Sequence, residues 1–354
     1  MTKGPELTVA CLGAGYFSQF HHEAWERLPQ VRRIATADLR LEAAEALGRP
    51  SFSSLEAMLD AEIPDILDII LPPTAHRKAI LTAIDAGVQT IICQKPFCES
   101  FEEAEGVILL AERAGAQLIV HENFRFMPWY RAIKTEIDAG RIGLPLQGQF
   151  HLRPGDGQGP NAYLDRQPYF QKMPQFLVHE TAVHWIDTFR YLFGNPHAVY
   201  ADLRRINPVI KGEDAGFILF DHPRGVRTLF DGNRHCDHAS DNQRRTMGEA
   251  RFEGTEGSLS LSGDGSVILR AHGHQTTETV LPADSSPGFG GDCVYLLQQH
   301  VVLALVDGAP LENEARDYLD VIRIRDAVYK SDAAGQKVQL PRRRDEVARR
   351  HLLI

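Results

Sequence analysis

Short apolar runs alternate with helical patterns over the first 120 residues, and this alternation constrains the fold more than any other feature. Apolar runs at residues 7–12, 66–71 and 117–121 predict buried strands, and amphipathic stretches such as 101–114 predict helices between them. Parallel strands need crossover connections of about this length, and the crossovers cover both faces of the sheet. We therefore predict a doubly wound parallel sheet over residues 1–123.

Beyond Asn123 the pattern changes, because strand-like stretches follow one another instead of alternating with helices. One strong helix is predicted over residues 178–193, and successive strand-like stretches run from 198 to 281. Strands grouped in this way are typical of a mostly antiparallel sheet. We predict a second, α+β domain over residues 124–354 that binds substrate and mediates oligomerisation. Its last helices are expected to pack back toward the first domain.

Composition and charge exclude several classes of protein. The chain has 43% apolar and 24% charged residues, as an ordinary globular protein does, and its net charge of −9 argues against nucleic acid as the main partner. No apolar run approaches the roughly 20 residues of a membrane span, and the N-terminal residues lack the apolar core of a signal peptide. We therefore expect no membrane partner. The basic segment 342–350 is interpreted as a solvated terminus.

The five cysteines bear on the compartment. They are odd in number and contain no CxxC pair, which favours a reducing environment over a disulfide framework or a cysteine zinc site. The sequence therefore predicts a cytoplasmic protein.

A glycine-rich turn joins the first predicted strand to the first predicted helix. Gly13 permits a tight turn, Gly15 lets the backbone approach a pyrophosphate, and Ser18 is small enough for close helix packing. Asp38 ends the second strand 25 residues after Gly13, where a carboxylate can bind both ribose hydroxyls of NAD and repel the 2′-phosphate of NADP. The pattern predicts a Rossmann domain that binds NAD rather than NADP, with Arg40 offsetting part of that selectivity.

Three segments together resemble the Gfo/Idh/MocA oxidoreductase family: residues 66–76 (ILDIILPPTAH), 91–97 (IICQKPF) and 176–194 (FLVHETAVHWIDTFRYLFG). The most specific part is a Lys-Pro pair after a strand, combined with an acid and a histidine four residues apart on a later helix. The family usually carries Glu where this chain has Gln94, and often Asp where it has Glu180.

The resemblance implies a Rossmann domain, an NAD(P) cofactor and oxidation of a CH–OH group in a sugar, sugar acid or cyclitol. Lys95 and His184 are the implied catalytic residues, and both also contact the substrate. Further implied substrate contacts are Asn123, Arg125, Asp165, Arg166 and Glu180. The implied cofactor contacts are Gly13, Gly15, Tyr16, Phe17, Asp38, Leu71, Pro72, Thr74, His76, Gln94 and Lys95.

The residues support these roles independently. Imidazole exchanges a proton near neutral pH, so His184 is the best candidate general base. Lys95 follows the carboxyl end of a parallel strand, where open α/β sheets bind ligands, and would stabilise negative charge on the reacting oxygen. Glu180 would orient the substrate through a neighbouring hydroxyl. On an ideal helix, Glu180, His184, Asp187 and Tyr191 share one face, opposite an apolar face that includes Trp185.

Two groups of histidines are candidate metal ligands, and neither is assigned a metal. His179 and His184 are five residues apart, about 140° round an ideal helix, whereas the zinc-protease motif needs a spacing of four. His235, Asp237 and His238 near a hairpin turn are interpreted as a polar loop.

An aldose oxidised at C1 to its lactone is the first choice of reaction, with a pentose such as D-apiose as a candidate substrate. Two alternatives stay open. One is an NAD-dependent glycoside-cleaving enzyme of the same family, and the other is a non-catalytic NAD-binding regulator, against which the retention of Lys95 and His184 argues. The late helices are too few to cover both faces of the second sheet, so we also expect a homodimer or homotetramer.

Overall fold

The computed structural model describes residues 6–285 and 289–341. Its internal contacts divide the chain into two units. Unit 1 comprises the residues up to Phe126 together with Asp292–Ile322, and unit 2 comprises Met127–Gly291 together with the residues from Arg323 onward. Residues 292–322 thus belong with unit 1 rather than with the rest of the predicted domain 124–354. The predicted solvated terminus, residues 342–350, lies outside the described residues.

The helices and strands follow in chain order. The first part contains β1 (Leu7–Leu12), α1 (Ser18–Arg27), β2 (Val31–Ala37), α2 (Leu41–Glu45), β3 (Ser51–Phe52), α3 (Leu55–Ala61), β4 (Ile66–Ile69), α4 (Pro73–Asp85), β5 (Thr90–Gln94), α5 (Phe101–Ala114) and β6 (Gln117–His121). The remainder contains α6 (Pro128–Asp138), β7 (Pro145–Leu152), a π-helical turn (Leu177–Ala182), α7 (Val183–Phe193), β8 (Ala198–Arg204), β9 (Ala215–Asp221), β10 (Arg227–Asn233), β11 (Gly248–Gly254), β12 (Gly257–Leu261), β13 (Val267–Ala271), β14 (Glu278–Leu281), α8 (Cys293–Asp307), α9 (Ala315–Ala334) and β15 (Val338–Gln339).

Unit 1 is built on a parallel sheet. Among the described residues its six strands lie in the order β3-β2-β1-β4-β5-β6, and every neighbouring pair is parallel. The predicted Rossmann fold is confirmed. The order reverses between β1 and β4, and in open α/β sheets the crevice at such a reversal binds the ligand. Because the strands are parallel, the residues that follow β1, β2, β4, β5 and β6 all lie at the same edge of the sheet.

Helix α8 packs against α1 within unit 1. Together with the short turn before it, it forms a 19-residue stretch, Phe289–Asp307, that is long and apolar enough to cross a membrane by length and composition alone. This stretch was not expected from the sequence. One helix of this kind is weak support for a membrane span, because the core helices of soluble proteins pass the same test. Its Leu297 and Val301 are buried.

Unit 2 carries the larger sheet. Among the described residues its nine strands lie in the order β14-β13-β12-β11-β7-β10-β9-β8-β15, and only β7 and β10 pair in parallel. The predicted mostly antiparallel sheet is confirmed. Helix α7 covers one face of this sheet: Trp185 stacks on Phe150 with ring centroids 4.2 Å apart, and Phe189 and Phe193 meet Phe220 and Phe252 edge-on or tilted.

The predicted helix 178–193 differs from the observed one in its first turn. Residues Leu177–Ala182 form a π-helical turn, and the α-helix begins at Val183. A π-turn adds a residue to the turn, and such turns are frequent at functional sites. The ideal projection therefore holds only from Val183 onward, and the direction of Glu180 is set by the π-turn.

Candidate active site

The glycine-rich turn between β1 and α1 has the geometry of a pyrophosphate cradle. Gly13 has φ of +114°, and a Cβ on it would collide with the carbonyl oxygen of Ile70. At Gly15 a Cβ would meet nothing within 4 Å, so its backbone is open to a ligand. Helix α1 begins at Ser18 without a side-chain cap. The Ser18 N–H donates to the Gly15 carbonyl oxygen (3.2 Å) and the Phe20 N–H to that of Phe17 (3.3 Å), and the positive end of the helix dipole lies next to the turn, where it favours an anion. These features fit the pyrophosphate of a dinucleotide.

Asp38 is held directly beside this turn. Its Oδ2 accepts a hydrogen bond from the Ala14 backbone N–H (2.8 Å), and its Oδ1 accepts one from the Arg40 N–H (2.8 Å). A carboxylate oxygen can accept two hydrogen bonds, so both oxygens keep capacity for ribose hydroxyls. The Arg40 side chain is 72% exposed and its Nε lies 3.8 Å from Asp38 Oδ1. The carboxylate is thus fixed in place while the guanidinium remains in water.

Asp38→Ser is expected to weaken NAD binding and to relieve the repulsion of NADP, because it removes both ribose hydrogen bonds and a negative charge. The ratio of kcat/KM for NAD over NADP should fall by about tenfold or more. Steady-state kinetics with both cofactors measures this ratio, and Asp60→Ser on the exposed side of α3 serves as the control. An unchanged ratio would show that Asp38 does not read the ribose.

Most of the other predicted cofactor contacts lie near the edge of the parallel sheet that carries the glycine-rich turn, and they differ in exposure. Tyr16 and Thr74 are exposed, as is Pro72, while Phe17 and Leu71 are half-buried.

His76 differs from these residues in its burial. It is fully buried, and its two ring nitrogens meet the carbonyl oxygens of Phe97 (2.9 Å) and Leu71 (2.7 Å). The side chain of His76 therefore ties together the segments after β4 and β5, and its predicted cofactor contact remains a prediction.

Lys95 follows β5 directly and is half-buried. Its backbone N–H donates to Oε1 of the preceding Gln94 (2.8 Å), and Gln94 is itself buried and lies 3.0 Å from Nε2 of His21. Gln94 is thus engaged within the protein, and its side chain orients the Lys95 backbone. The predicted cofactor contact of Gln94 remains a prediction.

Glu122 is a functional candidate that the sequence analysis missed. It follows β6, is fully buried, and accepts a weak hydrogen bond from the Tyr318 hydroxyl (3.4 Å). Burial raises the pKa of Glu122 from 4.5 to about 7, although the charges of Lys95 and Arg125 act to lower it. A buried carboxyl that titrates near neutrality beside the predicted catalytic lysine is typical of an active site. Its position after a parallel strand was the only signal that the sequence offered.

Glu122→Gln should make the stability of the protein less dependent on pH. A carboxyl whose pKa is raised by folding contributes stability below its unfolded pKa, and this is lost as the pH rises through the folded pKa of about 7. Relative to the native protein, the variant should therefore gain about 2–3 kcal/mol between pH 5 and pH 8. Urea denaturation at both pH values measures the gain, with Glu56→Gln on the exposed face of α3 as the control. Parallel pH profiles for Glu122→Gln and native protein would refute the raised pKa.

Two predicted substrate contacts are engaged inside unit 1. Asn123 is buried, and its Nδ2 donates to Sγ of Cys293 at the start of α8 (3.0 Å). Arg125 forms an ion pair with Glu312, Nη1 to Oε2 at 3.5 Å. These contacts anchor the segment after β6, and the predicted contacts of both residues with a substrate remain predictions.

In unit 2, the π-turn and α7 carry Glu180 and His184, which are 9% and 6% exposed. The other members of the predicted polar stripe have partners of their own. Asp187 pairs with Arg190 (3.3 Å), and the Tyr191 hydroxyl accepts a hydrogen bond from Arg131 (3.0 Å). The stripe is therefore not an ordinary solvated helix face, since Glu180, His184 and Asp187 are all buried.

The loop before the π-turn is tied to it through a buried network that the sequence did not reveal. Asp156 accepts hydrogen bonds from Arg166 (2.5 Å) and from Arg234 (2.7 Å), and Arg234 donates to Thr181 Oγ1 (2.5 Å). Burial raises the pKa of Asp156, but the two guanidinium groups lower it more, so the net pKa lies below its ordinary value. Arg166 thus already has a carboxylate partner, which it shares with Arg234. The other predicted contact on this loop, Asp165, is exposed.

Two of the histidines considered as metal ligands, His179 and His238, have other partners. His179 Nδ1 lies 3.2 Å from Nη1 of Arg325, and His238 contacts the Arg153 carbonyl oxygen (2.7 Å) and Thr246 Oγ1 (3.2 Å). Over the described part of the chain, no group of three or more His, Cys, Asp or Glu side chains is placed to hold a metal ion.

Comparison with known proteins identifies similar sequences and structures. Residues 7–122 match the NAD-binding Rossmann domain model of the Gfo/Idh/MocA oxidoreductase family, and residues 130–260 match its C-terminal domain model. The chain is 31% identical to a D-apiose dehydrogenase of Paraburkholderia graminis over 347 residues, covering 94% of this chain and 89% of the relative. It is 27% identical to a D-apiose dehydrogenase of Rhizobium rhizogenes, covering 95% and 98% respectively.

A solved structure is also similar. An oxidoreductase from Agrobacterium radiobacter, crystallised with NAD+, L-tartaric acid and magnesium, matches with a TM-score of 0.85 and 26% identity, covering 94% of this chain and 98% of that one. With both domain models matched and a relative above 30% identity along nearly the whole chain, the protein belongs to the Gfo/Idh/MocA family of oxidoreductases with an NAD-binding Rossmann fold.

Proposed function

We propose that the protein is an NAD-dependent dehydrogenase that oxidises a hydroxyl group of a sugar, with an aldose such as the pentose D-apiose, oxidised to its lactone, as the first choice. The observation that carries the proposal is the chemistry of three side chains. Oxidation of an alcohol needs a base for the hydroxyl proton and a group that stabilises negative charge on the oxygen. The chain offers a lysine at the carboxyl edge of the NAD-binding sheet, and a buried acid and histidine on the π-turn and α7. Two relatives along the whole chain, both named D-apiose dehydrogenase, support the choice of sugar.

The residues have distinct roles in this reaction. The glycine turn and Asp38 would hold the pyrophosphate and the adenosine ribose of NAD, and the bound cofactor accepts a hydride from the carbon that carries the hydroxyl. His184 takes the hydroxyl proton as general base. Lys95 donates a hydrogen bond to the same oxygen and stabilises the negative charge that develops on it. Glu180 accepts a hydrogen bond from a neighbouring hydroxyl and orients the sugar.

The charges near these residues favour a neutral sugar over a sugar acid. Of the predicted substrate contacts, Arg125 and Arg166 are the ones whose positive charge could bind a carboxylate. Arg125 pairs with Glu312, and Arg166 pairs with Asp156, which it shares with Arg234, so each of the two guanidinium groups already has a carboxylate partner. A substrate carboxylate would have to displace an existing ion pair in each case. We therefore place neutral aldoses ahead of sugar acids.

A spectrophotometric screen tests the function. Aldoses, polyols and sugar acids are each incubated with the protein and NAD or NADP, and the absorbance of reduced cofactor is followed. We expect NADH formation with a neutral aldose, and lactone as the product. NADH formation from sugar acids alone would overturn the neutral preference. No net NADH from any free sugar, together with cleavage of a glycoside that requires NAD, would show the glycoside-cleaving alternative. NAD binding without either reaction would show a regulator.

The uncovered face of the second sheet supports an oligomer. Tyr200, Leu219 and Leu229 are cross-strand neighbours on β8, β9 and β10, and Phe217 lies one register position further on the same face. Tyr200 and Phe217 are 37% and 45% exposed. An apolar stripe across three adjacent strands is typical of an interface, and a second copy of the same face supplies a matching surface. We propose a two-fold dimer, or a tetramer built from such dimers.

Light scattering at micromolar concentration should therefore give a mass at least twice the 39.5 kDa of one chain. Phe217→Glu is expected to shift the mass toward the monomer, because it places a charge in the apolar stripe. His274→Glu, on the exposed turn after β13, is the control. A native species of 39.5 kDa alone would rule out the oligomer.

We also propose a cytoplasmic location. Within the described residues the cysteines form no disulfide, and Cys11, Cys93, Cys98 and Cys293 are buried. Five cysteines without a disulfide favour a reducing compartment.

A further inference from the structure

A chain of hydrogen bonds links buried side chains of unit 1 to the backbone of Lys95. Asp68 on β4 and His21 on α1 are both 0% exposed, and Asp68 Oδ2 lies 2.8 Å from His21 Nδ1. His21 Nε2 lies 3.0 Å from Gln94 Nε2, and Gln94 Oε1 lies 2.8 Å from the Lys95 backbone nitrogen. Four consecutive groups are therefore linked by three short contacts.

The direction of every hydrogen bond in this chain follows from one donor. A backbone N–H can only donate, so the atom of Gln94 that faces Lys95 must be the amide oxygen. The amide nitrogen of Gln94 then faces His21 and donates to it. His21 Nε2 must therefore carry a lone pair, and its proton lies on Nδ1, which donates to Asp68.

Asp68 completes the assignment as a pure acceptor. The same Oδ2 also accepts a hydrogen bond from Trp25 Nε1 (2.7 Å). The ring of His121 lies against the ring of His21, with centroids 4.1 Å apart. His21 is therefore fixed on three sides, by the carboxylate, by the Gln94 amide and by an aromatic face.

We propose that His21 is a positioning residue: held as a neutral imidazole with its proton on Nδ1, it acts through Gln94 to fix the Lys95 backbone and so to aim the lysine side chain. Protonation of Nε2 would set two donors against each other at Gln94. To relieve this, the Gln94 amide would have to turn over, and its oxygen would leave the Lys95 N–H. The role of Lys95 rests on the proposed function, whereas the state of His21 does not.

The neutral amide of Gln94 determines which nitrogens of His21 carry a proton. A carboxylate at this position would accept from both the Lys95 N–H and the protonated Nε2 of His21. The substitution Gln94→Glu is thus expected to convert His21 to the doubly protonated imidazolium, with Asp68 and the new glutamate on either side of it. The tautomer of His21 is a direct readout of the proposed hydrogen-bond direction.

Nitrogen NMR of the full-length protein with ¹⁵N-labelled histidine tests this first step. His21, assigned through the loss of its signals in His21→Phe, should show a protonated Nδ1 and an unprotonated Nε2 at neutral pH. In Gln94→Glu both nitrogens should be protonated. A protonated Nε2 in the native protein, or an unchanged tautomer in Gln94→Glu, would overturn the proposal. Neither result depends on the substrate or on whether the protein is a sugar dehydrogenase.

Kinetics test the second step, the effect on Lys95. His21→Phe keeps the ring volume but breaks the chain, so kcat should fall by about 10–100-fold with little change in KM, as expected for a displaced catalytic group. Gln94→Leu should cost a similar factor, and the double variant should be no worse than either single one, because the two residues act in series.

His222→Phe is the matched control. His222 is also a buried histidine with both nitrogens engaged, by the Gly194 carbonyl and Thr228 Oγ1, but it lies in unit 2. It should lose thermal stability and keep its kcat. A His21→Phe variant that keeps native kcat, or additive losses in the double variant, would show that the chain is only structural. An equal loss of kcat in His222→Phe would show the same.

Discussion

His184→Ala is expected to lower kcat by about 10²–10⁴-fold, the usual range for the loss of a general acid–base group. The base acts on the hydroxyl proton as the hydride leaves, so its contribution appears mainly in the transition state, and KM should change little. NAD affinity should also change little, because His184 belongs to unit 2 and the predicted cofactor contacts belong to unit 1. Steady-state kinetics and a fluorescence titration with NAD measure the two effects separately.

The pH profile provides a second readout for His184. In the oxidation direction, kcat/KM of the native enzyme should rise with pH as the base loses its proton, and this rise should be absent from His184→Ala. His274→Ala, an exposed histidine on the turn between β13 and β14, is the control and should keep the native profile.

A tyrosine is the rival for the role of base. Burial raises the pKa of both Tyr163 and Tyr169, which makes each a poorer proton acceptor at neutral pH. Tyr163 is further occupied by hydrogen bonds with Arg234 (2.7 Å) and Asp156 (3.1 Å). If His184→Ala keeps near-native kcat while Tyr163→Phe or Tyr169→Phe abolishes it, the assignment of the base to His184 fails.

Lys95→Ala should lower kcat at least as much as His184→Ala does, because it removes a positive charge beside the oxygen on which negative charge develops. The loss should again fall on kcat more than on KM. Lys95→Arg keeps the charge but not the compact ammonium group, so partial activity is expected from it. Lys78→Ala serves as the control, since Lys78 lies on α4 with its side chain 85% exposed.

A further consequence concerns the neighbour of Lys95. Removing the lysine charge should raise the pKa of Glu122 further, because that charge acts to lower it. A carboxyl signal followed by infrared spectroscopy would show the change. A Lys95→Ala enzyme with near-native kcat would mean that the reacting oxygen is stabilised by another group.

Local pattern was sufficient to predict the parallel sheet and the tight glycine-rich turn after β1. Helix α5 was predicted at its observed bounds, because Ser100 caps its first turn by accepting from the Glu103 N–H, and Gly115, in a left-handed conformation, ends it. The glycine turn and Asp38 could be read for the same reason. Their roles depend on backbone conformation and on strand order, both of which are expressed within a few tens of residues.

The π-turn and the contacts between residues distant in the chain were determined by the tertiary structure. The π-turn at Leu177–Ala182 was predicted as ordinary helix, because an apolar pattern with helical period does not show an added residue in one turn. The chain from Asp68 through His21 joins groups 47 residues apart, and the Asp156–Arg234 pair joins groups 78 apart. The periodicity of apolar residues gives information only about residues that are close in the sequence. Burial, charge pairing and the raised pKa of Glu122 depend on groups that folding brings together, so they could be found only in the folded protein.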